Sequence, residues 1–136
     1  MLEGFEKIES NQFLDFGADP DRSILLLVRK ATGIVTAVEI ERMLRGVMLT
    51  LGEPTGWSIL FDTRLAVGRS GPEFEAEVAR LREYMLAHYR RVAVLVRSVV
   101  GEMQVQRMLD KKARMLVFRD IDAALQFVAQ PRLGPR

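Results

Sequence analysis

Residues 57–74, WSILFDTRLAVGRSGPEF, decide how this chain is read. An apolar run ends at Asp62, a loop through Ser70 and Gly71 follows, and Pro72 then opens a helix, where proline's missing N–H costs nothing. A strand, a loop and a helix N-terminus in that order gather exposed backbone donors at the end of a strand. This loop is therefore the first place to look for a binding site.

Working back from it, the run Ile24–Val28 in SILLLVRK has no polar alternation, which predicts a strand covered on both faces, as in α/β sheets. Before it, NQFLDFG (residues 11–17) alternates Leu14 and Phe16 with Phe13 and Asp15, and ADPDR supplies turn chemistry. The two segments read as a β-hairpin. Thr36-Ala37-Val38-Glu39 is a capping box, and Ile40, Met43, Leu44, Val47, Met48 and Leu51 then form one helical stripe. The methionines are read as core filler. Gly52 to Gly56 ends that helix, and Trp57 anchors the next strand by packing.

Working forward, Phe74, Val78, Leu81 and Met85 predict a second helix from about Pro72 to Ala87, with Glu73, Glu75 and Glu77 suited to its positive end. RRVAVLVR is the next strand. Val100, Met103, Met108 and Leu109 are expected to face inward from a helix over 100–112, with Gln104, Arg107 and Lys111 on the opposite face. RMLVF is a short strand, and Asp120 caps a last helix with Ile121, Ala124, Leu125 and Val128 inward. The order ββαβαβαβα predicts a small α/β domain over residues 1–130, with a mixed sheet of about five strands and about four helices. A flexible tail is expected over 131–136.

A length of 136 residues suits one domain, and 49% hydrophobic with 28% charged residues is ordinary globular composition. The longest apolar stretches, ILLLV and VAVLV, are too short to span a bilayer. The N-terminus lacks a secretory pattern and there are zero cysteines, so a cytoplasmic location is expected. The net charge of +2 divides into −5 over residues 1–21 and +7 over the remainder. No aromatics interleave with the basic residues, so nucleic-acid binding is not expected.

From the first strand to the last helix, about residues 12 to 129, the chain resembles a STAS domain, the sulphate-transporter and anti-sigma-factor-antagonist family, in its SpoIIAA-like branch. The resemblance rests on LLLVRKATGIVTAVEIERM, SILFD, RRVAVLV and VFRDIDAALQFV in that order and spacing. It implies a non-enzymatic regulatory protein-interaction module, recognised through the loop and start of the second helix by a partner such as an anti-sigma factor or a kinase-like protein. In that family a serine at the start of the second helix, usually preceded by Asp, is phosphorylated. Ser70 stands within a residue of that position, while Arg69 occupies the place of the acidic residue. The related lipid-carrier-like proteins imply an alternative, a small carrier of apolar or lipid-like ligands.

The candidate site residues are accordingly Asp62, Arg64, Arg69, Ser70 and Gly71, with Ser70 as phosphoacceptor. Ser70-Gly71-Pro72-Glu73 also fits a capping box, which gives Ser70 a structural role as helix cap. Asp62 is read chiefly as an acceptor that organises its loop, and Arg64 either pairs with it or faces solvent. No catalytic residue is expected. His88, the only histidine, complements the C-terminus of the second helix, about 27 Å from Ser70 at ~1.5 Å per residue, too far for a Ser-His pair. No metal or cofactor is expected, because the chain lacks any ligand motif of the required spacing. Self-association through an exposed edge strand of the hairpin is an expectation without a stoichiometry.

Overall fold

Six strands lie side by side in chain order: β1 (Glu6–Ser10), β2 (Leu14–Asp19), β3 (Ile24–Arg29), β4 (Ser58–Asp62), β5 (Val92–Leu95) and β6 (Met115–Phe118). The structure, a computed structural model, describes residues 1–69, 71–108 and 114–130. β1, β2 and β3 pair antiparallel, whereas β3 to β6 are parallel. Helices α1 (Ala37–Leu51), α2 (Pro72–His88) and α3 (Val99–Met108) connect the parallel strands, and α4 (Ile121–Val128) follows β6. This is the predicted α/β architecture, with a mixed sheet and four helices among the described residues.

Strand periodicity sorts the core into two layers. Leu25, Leu27, Ile59, Phe61, Val92 and Val94 face α1 and α2, while Ile24, Leu26, Leu60, Ala93 and Leu95 face α4 and Phe5. Both faces of the central strands are covered, which is why their sequences are continuously apolar. The α1 stripe forms as expected, and Thr36 and Glu39 complete their capping box. On the neighbouring helix, Glu77 accepts from the Ala37 amide at 2.5 Å. Among the described residues, no helix is long and apolar enough to cross a membrane.

The sheet has one strand more than the sequence reading indicated. β1 has a single apolar residue, Ile8, and all five of its side chains are exposed, so no alternation marks it. It pairs on one side only, and its register slips between Lys7 and Glu9. Charge and a bulge of this kind blunt an exposed edge against pairing with another chain.

The third helix is turned differently from expectation. Val100 and Met103, placed inward by their spacing, are 75% and 62% exposed. Val105 instead packs on the first core, while a Cβ at Gly101 would stand at an ordinary contact distance, 3.7 Å, from the Val96 Cβ. The inward face is set by how the helix packs on the sheet, and the spacing of its hydrophobic residues does not reveal that. Leu109, Lys111 and the expected tail lie outside the described residues.

Candidate functional site

The C-terminal ends of β3, β4 and β5 deliver three loops to one edge of the sheet, the usual ligand edge of parallel α/β sheets. Asp62 ends β4 and is 8% exposed. Its Oδ1 accepts from the Arg64 backbone N–H and from Arg64 Nε, both at 3.0 Å, and its Oδ2 accepts from Arg64 Nη2 at 2.9 Å. Asp62 is thus the loop-organising acceptor, and Arg64 is its partner. Hydrogen bonding to Asp62 raises the Arg64 pKa above its ordinary value, partly opposed by burial. Thr63 fixes the next position, donating from both its backbone N–H and its hydroxyl to the Leu95 carbonyl at 2.9 and 2.8 Å.

Farther along the loop, the Arg69 guanidinium lies 5.3 Å from the centre of the Phe74 ring. Ser70 lies outside the described residues. The N-cap of α2 is Gly71, one residue later than the sequence reading placed it, with φ of 105° and no side-chain cap bond. That backbone conformation is costly for any residue bearing a Cβ, so glycine holds the position and Pro72 takes the first helical one.

The neighbouring β3–α1 loop is built around Arg29, which the sequence reading did not single out. Its guanidinium donates to the carbonyls of Phe13, Lys30 and Gly33 at 3.1, 2.8 and 2.6 Å. Burial, and then the nearby charge of Arg69, push its pKa below the ordinary value. Arg29 and Arg69 therefore bring like charge to one place. Arg97, at the end of β5, adds another exposed cation.

Around these cations the edge exposes apolar side chains. Ile34 stands on the β3–α1 loop, Leu65 and Val67 on the β4–α2 loop, and Val99, Val100 and Met103 at the start of α3. They make up most of the large exposed hydrophobics among the described residues, so the exposure is concentrated at one edge. The sequence held a partial signal for this. Leu65 and Val67 are apolar residues in a loop with no periodic partner.

The chain matches no family model and no curated protein. Among solved structures it is similar to an uncharacterised DUF3478-family protein of Shewanella loihica PV-4 described as having a SpoIIAA-like fold. The two share 21% sequence identity, with a TM-score of 0.53 over 89% of this chain and 98% of that one. The fold is SpoIIAA-like. In this STAS-like fold the β4–α2 loop and the α2 N-terminus occupy the region singled out from the sequence. Asp62, Arg64, Arg69 and Gly71 are brought together there on one loop, while His88 lies at the far end of α2 with its Nδ1 2.8 Å from the Tyr84 carbonyl.

Proposed function

We propose that this SpoIIAA-like chain is a non-enzymatic protein-interaction module that docks a regulatory partner on the C-terminal edge of its sheet. The observation that carries the reading is the apolar rim of Ile34, Leu65, Val67, Val99, Val100 and Met103 set among Arg29, Arg64, Arg69 and Arg97. Exposed apolar patches rimmed by polar groups mark association surfaces, and Met and Arg are enriched in them. Asp62 and Thr63 hold the loop in shape, so the surface is formed before a partner arrives, which lowers the ordering cost of binding. An anti-sigma factor or kinase-like partner is the class suggested by the resemblance. Ser70, which in the sequence follows Arg69 and precedes α2, is then the proposed regulatory phosphoacceptor.

The test is affinity capture from the native cells with the unaltered protein and with a Leu65→Asp/Val67→Asp variant. Loss of a reproducible partner in the variant supports the reading, and undiminished capture overturns it. Phosphopeptide mass spectrometry of the same material tests Ser70 directly.

A groove of about 460 Å³ between β1 and α1, with Ile8, Met43, Val47 and Leu51 beside Glu9, Arg42 and Thr50 in its walls, favours a second reading as a carrier of a lipid-like ligand with apolar and polar parts. It predicts a ligand that co-purifies and is visible by native mass spectrometry. Repeatedly ligand-free spectra would count against it.

A further inference from the structure

The outer face of α1 carries two residues that a lone molecule does not explain. Leu49 is 89% exposed, more than any other large hydrophobic among the described residues. Gly46 lies inside the helix, where glycine is a weak helix former, and a Cβ there would meet nothing within 4 Å. No neighbour within the chain therefore requires the glycine. With Arg42 the two occupy positions i, i+4 and i+7 of one helical stripe, opposite the buried Ile40, Leu44, Val47 and Met48.

Arg42 and Glu53 are exposed, and neither side chain forms a hydrogen bond or ion pair with another described residue. They flank Gly46 and Leu49 in the sequence, opposite in sign and equally far from the middle. Two copies of α1 laid antiparallel, with a two-fold axis at the level of Val47 and Met48, bring Leu49 of each copy over Gly46 of the other. The same pairing sets Arg42 of each copy beside Glu53 of the other. It is isologous, so every contact is made twice. A parallel pairing would set Arg42 against Arg42, so charge selects the antiparallel one.

We infer that the outer face of α1 binds a second copy of this chain, forming an antiparallel two-fold dimer. The glycine leaves a notch in the helix surface, and a leucine side chain that fills it is removed from water. Gly46 also lines the groove beside β1, together with Met43, Val47 and Leu51, so the entering leucine meets an apolar surface. β1 takes no part, in keeping with its charged and bulged edge. A single pair of 15-residue helices makes a small interface, and small interfaces are transient. The dimer is accordingly reversible. The inference does not depend on the docking reading of the C-terminal edge.

The test is sedimentation velocity of the full chain from micromolar to millimolar concentration, where a reversible monomer–dimer equilibrium is expected. Leu49→Asp and Gly46→Gln should each weaken association at least about tenfold. The second places a better helix former in α1, and circular dichroism should show both variants folded. Arg42→Glu should weaken association about threefold or more, and the double variant Arg42→Glu/Glu53→Arg should restore it. The inference is overturned by a monomer at every concentration, by a dimer that survives Leu49→Asp, or by a charge reversal that the second substitution does not rescue. Association through Leu49 with a different protein or with lipid vesicles, in a chain that stays monomeric, also overturns it.

Discussion

Asp62 grips Arg64 through both carboxylate oxygens and through the Arg64 backbone amide, so one residue at the end of β4 fixes the course of the loop proposed to bind a partner. Replacing Asp62 by Asn keeps its size but removes the charge-assisted bonds, which are about twice as strong as neutral ones. The expected cost is about 1–2 kcal/mol in urea unfolding, with faster amide exchange confined to residues 63–66. Unchanged exchange in that segment would show that Asp62 does not hold the loop.

A second pair joins α1 to α2. Glu41 is 6% exposed, and Arg80 on α2 donates from Nε to its Oε2 at 2.8 Å. The two partners differ in burial, because more than half of the Arg80 side chain is exposed. Removing Arg80 strands a buried carboxylate, whereas Glu41→Gln leaves a neutral group. Arg80→Met should therefore lower the denaturation midpoint more than Glu41→Gln does. Chemical denaturation of both variants decides the matter, and the reverse ranking would refute this account.

Much of this architecture is written in local periodicity. Ile24–Val28, Ser58–Asp62 and the Thr36 capping box each state their conformation over a few residues, and the location of the candidate loop follows from Asp62 and Pro72. What is not local is not legible in the same way. The inward face of α3 depends on how the helix packs on the sheet, where Val105 and not Val100 meets the core, and β1 exists only because the edge of β2 offers it hydrogen bonds. The chemistry of the candidate site was hidden for the same reason. Arg29 becomes part of it through carbonyls of residues 13 and 33, and Val100 joins the apolar rim only once the rotation of α3 is known.

Two carboxylates give the fold a defined response to acid. Asp15 has its pKa lowered by its hydrogen bond from Ser10, against burial, with further lowering by Lys30 and Lys7. Burial works against the Asp19 charge, yet hydrogen bonds from Arg22 and the Asp21 amide, with the Arg22 charge, bring its pKa below the ordinary value. Folded values below unfolded ones mean that the folded state binds fewer protons. The stabilisation is complete above the unfolded value of about 3.9 and disappears as pH falls through the lower folded values. Urea midpoints measured from pH 6 down to pH 2.5 should drop in that window, and Asp19→Asn should flatten the drop while lowering stability at pH 6. An equally steep acid limb in Asp19→Asn would remove it from the explanation.

Two glycines with equally open surroundings should respond to alanine in opposite directions. A Cβ at Gly46 or at Gly71 would meet nothing within 4 Å, so sterics with neighbours do not distinguish them, and the backbone does. Gly46 lies inside α1, where glycine costs roughly 0.5–1 kcal/mol relative to alanine through the entropy of the unfolded chain. Gly71 has φ of 105° at the α2 N-cap, a conformation whose cost to a residue with a Cβ is of order 1–3 kcal/mol. Thermal unfolding should therefore show Gly46→Ala stabilised and Gly71→Ala destabilised. Because Gly71 shapes the docking loop and Gly46 does not, partner capture should weaken in Gly71→Ala alone. A Gly71→Ala protein with unaltered stability would mean that the loop relaxes freely, and the preformed surface on which the interaction reading relies would be lost.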